Sequence, residues 1–137
     1  MDAELRRRAG ALAKLSSQEA AAWIMATYPV ETGRIRDAMI LVQHRSWKAR
    51  EQFALARYYL VGTVWANSYP YEAFSQFMSL GNYVRIFDGW QPSAHRDVSL
   101  LTYFLGIALS KMAKKEEDRR RVDELMNRLW EGVADNE

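Results

Sequence analysis

From Tyr58 to Val84 the chain carries a single charged residue, Glu72. The surrounding stretch from Trp47 to Trp90 also holds twelve aromatic side chains: Trp47, Phe53, Tyr58, Tyr59, Trp65, Tyr69, Tyr71, Phe74, Phe77, Tyr83, Phe87 and Trp90. A segment so poor in charge and so rich in rings either forms the interior or presents a surface that another molecule covers. With 137 residues and no break in composition, the chain is long enough for one hydrophobic core and too short for two.

Hydrophobic spacing resolves the stretch into helices. Ala49, Phe53, Ala56, Leu60 and Val64 recur at intervals of three and four, which predicts a helix capped by Ser46 and running to about Ala66. Tyr58, Tyr59, Val61 and Trp65 widen its apolar arc, the pattern of a helix covered on more than one side. Asn67 to Pro70 reads as a turn, followed by a helix over about Tyr71–Leu80 with Gly81 suited to a left-handed C-cap. Asn82–Trp90 fits either a short strand or a helical turn. An isolated strand has nothing to pair with here, so helix is preferred.

Upstream, Asp2 caps an amphipathic helix built on Leu5, Ala9, Leu12 and Leu15. Ser16 and Glu19 match the capping box and start a second helix, which Pro29 ends near Tyr28. Thr32 is the expected cap of a third, built on Ile35, Ala38, Met39 and Val42 and stopping near His44. Downstream, Ser93 is the expected cap of a helix with a Val98, Leu101, Leu105, Ala108, Leu109 and Met112 stripe. Leu100, Phe104 and Ile107 fill its flanks, the pattern of a central buried helix. The stripe lapses over Lys114–Arg121 and returns at Val122, Leu125, Met126, Leu129 and Val133, which predicts two helices meeting at a polar turn. The expected fold is an all-α, compact single-domain bundle of six or seven helices spanning residues 1–137. Its fourth and sixth helices lie at the centre, and the first and last on the outside.

Chemistry is hard to find in this chain. Without cysteine it has no disulfide, thiolate metal site or thiol nucleophile, which suits a reducing compartment. His44 and His95 lack the neighbouring ligands of a zinc site, so no metal or other cofactor is expected. His95-Arg96-Asp97 spells the start of a kinase catalytic loop, but the chain has neither a Gly-rich phosphate loop nor a downstream Asp-Phe-Gly. The acids Glu116, Glu117, Asp118, Asp123 and Glu124 alternate with Lys114, Lys115 and Arg119–Arg121 at ion-pairing spacings, the make-up of a solvated helix face. No catalytic residue is assigned. The basic amino-terminal segment lacks a signal-peptide core, and Val98–Ala113 is too short and too polar to span a bilayer, so a soluble cytoplasmic chain with no membrane contact is expected.

What remains is binding. Tyrosine and tryptophan carry polar edges that need partners, and they are enriched at interfaces. Trp65, Tyr69, Tyr71 and Trp90, at helix ends and turns, are the candidate contacts of a non-catalytic protein-protein interaction module. Its partner is another protein or a second copy in a homodimer, in the manner of a bacterial adaptor or an immunity-type inhibitor. An alternative is a helix-turn-helix-like regulator binding nucleic acid through Arg34, Arg36, Arg45, Lys48, Arg50 and Arg57, although the net charge is only +2. A further alternative is an apolar small-ligand pocket between the fourth, fifth and sixth helices, with Tyr58, Tyr59 and Tyr83 as polar handles.

Overall fold

Two of the predicted caps form as their side chains dictate. Asp2 accepts the Leu5 amide at 2.8 Å. Ser16 and Glu19 satisfy each other's backbone N–H in a complete capping box. The computed structural model describes residues 1–133. Among them it forms α1 (Ala3–Leu12), α2 (Ser17–Thr27), a 3-10 turn (Val30–Thr32), α3 (Ile35–Val42), α4 (Ala49–Leu60), α5 (Tyr69–Ser75), α6 (Leu80–Arg85), α7 (His95–Met112) and α8 (Glu116–Glu131). The fold is therefore all-α, with eight helices where six or seven were expected.

The other caps shift for identifiable reasons. Thr32 is drawn into the 3-10 turn, where its hydroxyl donates to the Pro29 carbonyl at 2.8 Å. Arg34 then takes the cap position of α3. Ser46 does not cap α4, because Ser17 reaches across from α2 and accepts the Lys48 amide at 3.1 Å. Gly81 lies inside α6, which Ser79 starts by accepting the Asn82 amide at 3.2 Å. At the start of α7 the cap position is held by Ala94 rather than Ser93.

Helix α4 stops at Leu60 rather than near Ala66. Val61 is extended, and Gly62 adopts φ 89°, a left-handed conformation that costs glycine little. The turn is then pinned by Trp65, whose indole N–H folds back onto the Tyr59 carbonyl at 2.7 Å. Val64 thus leaves the helix, yet it packs on the core with half-buried Phe53 and Phe77, while Leu60 and Phe74 are fully buried. The polar stretch after Met112 breaks into two helices at extended Ala113, as expected.

The largest departure concerns the centre. The seven-residue α5 packs against α3, α4, α6 and α7 at once. Pro70, Tyr71, Ala73 and Phe74 disappear inside, and proline is tolerated in that first turn because its missing amide would have had no partner. Helix α4 packs on α2, α5 and α6, close to its predicted central place. Helix α7, the other expected centre, packs mainly on α5 and α8 and keeps Tyr103 at the surface on its outer side. The first and last helices lie outside as expected, α1 burying Leu5 and Leu12 and α8 burying Leu125 and Leu129. No helix among the described residues is long and apolar enough to cross a membrane.

Candidate partner-binding surface

The polar edges of the aromatic segment are largely committed inside the molecule. The Tyr59 hydroxyl donates to the Tyr28 carbonyl at 2.9 Å, and that of Tyr83 to the Tyr71 carbonyl at 2.5 Å. Tyr71 accepts the Trp65 amide at 3.0 Å, and the Trp47 indole donates to the Val42 carbonyl at 2.8 Å. Burial raises the Tyr71 phenol to about 12 and pushes Tyr59 and Tyr83 well above the ordinary tyrosine value, because a phenolate loses its hydration in these sites. These hydroxyls tie turns and helix ends to the core.

The four predicted contact residues separate accordingly. Tyr71 is 0 % exposed and offers nothing to a partner. Its place at the end of a turn suggested exposure, but the ring points inward from α5 and its hydroxyl anchors the Gly62–Trp65 turn. Trp65 is half-buried and tethered by both its amide and its indole. Trp90 is half-buried and stacks on Phe87 with ring centroids 6.4 Å apart, while its carbonyl accepts from Arg128. Tyr69 alone is exposed, at 36 %, and its hydroxyl accepts the Gln43 amide at 3.1 Å. The structure does not gather the four into one exposed surface.

The basic residues are also dispersed. Arg45 donates to the carbonyls of Leu12 and Leu15 and lies over the Trp47 ring, closing the end of α1 onto the α3–α4 joint. Arg57 donates to the Ile86 carbonyl at 2.7 Å. Arg34 pairs with Asp37 at 2.8 Å and covers Tyr28, and Arg50 pairs with Glu51 at 3.1 Å. Arg36 and Lys48 remain as exposed cations. Nor do the two helices dock on each other as a helix-turn-helix pair does: the main partners of α3 are α1, α2 and α5, and those of α4 are α2, α5 and α6.

The three tyrosines expected to line a ligand pocket do not converge. Tyr59 and Tyr83 are buried with their hydroxyls occupied. Tyr58 borders an open groove of about 680 Å³ with Met25, Val30 and Val61, between α2 and α4 rather than between the fourth, fifth and sixth helices. Its hydroxyl accepts the Val30 amide at 3.3 Å. Among the described residues, no three histidines or carboxylates are grouped as metal ligands would be.

A different surface stands out once the helices are placed. Helix α7 buries Val98, Leu101, Leu105, Ala108 and Leu109 on its inner face. Leu100, Tyr103, Phe104 and Ile107 recur at i, i+3, i+4 and i+7 and form a second apolar stripe on the opposite side. Tyr103 is 65 % exposed, the barest large hydrophobic side chain among the described residues, and it meets Phe104 edge-on at 4.9 Å. Leu100 and Ile107 are only partly covered and stand apart from the packed core, while Phe104, at one edge of the stripe, packs against it. On α8, Trp130 is 39 % exposed beside the start of α7, its ring 5.3 Å from that of His95. A helix apolar on two opposite faces is ordinarily covered on both.

The sequence contained this signal. The spacing of Leu100, Tyr103, Phe104 and Ile107 is as regular as that of the inner stripe, but assigning α7 to the centre of the bundle made both stripes interior. What was hidden was the position of α5, whose seven residues sit among α3, α4, α6 and α7 and leave the outer side of α7 at the surface.

Fold and surface together define a small helical-bundle protein whose outer α7 face is partly open around Tyr103. No protein-family model, curated protein or solved structure matches the chain.

Proposed function

We propose that this chain is a cytoplasmic, non-catalytic protein-binding module that docks through the outer face of α7. The observation that carries this reading is the stripe of Leu100, Tyr103, Phe104 and Ile107, with Tyr103 65 % exposed. An amphipathic helix that lays i, i+3, i+4 and i+7 anchors against a partner is a recurring mode of recognition. Aromatic side chains such as Tyr103 and Trp130 supply large contact area at small cost in rotamer entropy. The absence of cysteine suits a reducing compartment. Adaptor and inhibitor roles both need only such a face.

Affinity purification of the tagged chain from its native cells, alongside Tyr103→Glu, tests the reading. The unmodified chain is expected to recover a stoichiometric protein or a second copy of itself, and the variant to lose it. Equal recovery by both chains, or no partner for either, would overturn the assignment of this face.

A further inference from the structure

We propose that the occupant of the α7 face is a second copy of the chain, packed antiparallel about a two-fold axis passing between Tyr103 and Phe104. The inference rests on the reading of that face as a contact surface. It adds the identity and the orientation of the partner.

The stripe is self-complementary. Leu100 and Ile107 lie equally far from the midpoint between Tyr103 and Phe104, so a two-fold there sets Leu100 of one copy opposite Ile107 of the other and, because it keeps each edge of the stripe against the same edge of the partner, Tyr103 beside Tyr103 and Phe104 beside Phe104. That is the requirement of an isologous contact, in which one patch meets itself. Charge agrees with this orientation. Asp97, Phe104 and Lys111 follow one another at seven-residue intervals and therefore run along one edge of the stripe, with opposite charges at its two ends. Antiparallel packing brings Asp97 of each copy to Lys111 of the other, giving two ion pairs at the rim. Arg96, on the other edge, comes opposite Ser110 rather than a cation. Lys111 also pairs with Glu72 on α5 while its side chain stays 65 % exposed, so in the dimer it stands between that carboxylate and Asp97 of the other copy. The antiparallel arrangement also opposes the two helix dipoles, whereas a parallel pair would align them; a parallel pair would set Asp97 beside Arg96 instead, so the exchange with Lys111 tells the two orientations apart.

Sedimentation velocity on the full chain over a concentration series tests the pairing. The expected result is a reversible monomer–dimer equilibrium, with a dimer of twice the 15.9 kDa chain mass. Tyr103→Glu should sediment as a monomer throughout, with the thermal midpoint that the wild-type chain shows when diluted to monomer. Asp97→Lys, which sets like charges together at both rims, should raise the dissociation constant by about tenfold or more. The double variant Asp97→Lys with Lys111→Asp should recover most of the lost affinity. A strictly monomeric wild-type chain overturns the inference, and so does a dimer insensitive to both single variants. Partner recovery that depends on Tyr103 in a chain that never dimerises would sink self-pairing alone and leave the broader reading standing.

Discussion

Helices α5 and α7 invert what their sequences suggest. Helix α5 belongs to a segment rich in tyrosine and tryptophan, residues with polar edges that suit an interface, yet Tyr71 and Phe74 are buried, the Tyr71 hydroxyl and carbonyl are both hydrogen-bonded internally, and only Tyr69 at its start is exposed. Helix α7 reads as an ordinary core helix, yet its outer stripe leaves Tyr103 bare and Leu100 and Ile107 only partly covered. A polar-edged ring can be buried if a backbone carbonyl lies within reach, and the short helices here supply many carbonyls near turns. A second apolar stripe on the outer side of a helix gains nothing from water, so its exposure is the more informative sign of a missing partner.

The sharpest way to break this contrast is to truncate each helix. Phe74→Ala in α5 should cost about 3–5 kcal/mol of unfolding free energy, since the fully buried ring leaves a cavity that four neighbouring helices frame. Chemical denaturation reads this directly. If the loss were below about 1 kcal/mol, α5 would not be the hub.

A pH series probes the buried tyrosines. Burial raises Tyr71 to about 12 in the folded chain and pushes Tyr59 and Tyr83 well above the ordinary value, whereas in the unfolded chain all three ionise near 10. The unfolded state therefore releases protons first, so stability is complete below pH 10 and declines as pH rises through 10 toward 12. The slope is about 1.4 kcal/mol per pH unit for each tyrosine. Denaturation midpoints at pH 8, 9, 10 and 11 should show a plateau and then a fall. A flat profile to pH 11 would contradict the buried, proton-retaining state.

Single hydroxyls have smaller effects. Tyr83→Phe should cost about 1–3 kcal/mol, because it removes the donor to the Tyr71 carbonyl in a fully buried place. The smallest effect on stability should come from the other side of the comparison. Tyr103→Ser should change unfolding free energy by no more than about 0.5 kcal/mol, as expected of an exposed position. A large loss there would mean that the ring supports the fold rather than awaiting a partner. Filter binding to duplex DNA at low salt should be negligible, because Arg34, Arg45, Arg50 and Arg57 are engaged within the chain. Strong binding falling steeply with salt would restore the nucleic-acid alternative.

Much of the helical layout was legible in sequence because it rests on local rules. Asp2 and the Ser16–Glu19 box act within one turn, and the stripe that lapses after Met112 marks the break between α7 and α8. The misplacements came from distant residues. Ser17 supplies a hydrogen bond that Ser46 was expected to make, and Trp65 closes a turn inside what looked like continuous helix. The contact surface was misread for the same reason. Whether Tyr71 or Tyr103 faces water depends on which helix occupies the centre, and no local periodicity encodes that.

The claim that the outer face of α7 is the contact surface is tested most directly by a photo-crosslinking amino acid placed at Tyr103 and, separately, at Tyr69. Illumination of the purified full chain should yield a covalent dimer from position 103, with the captured peptide mapping to α7 of the second copy. Position 69 should yield none. A dimer captured only from position 69, or no product from position 103, would contradict the account.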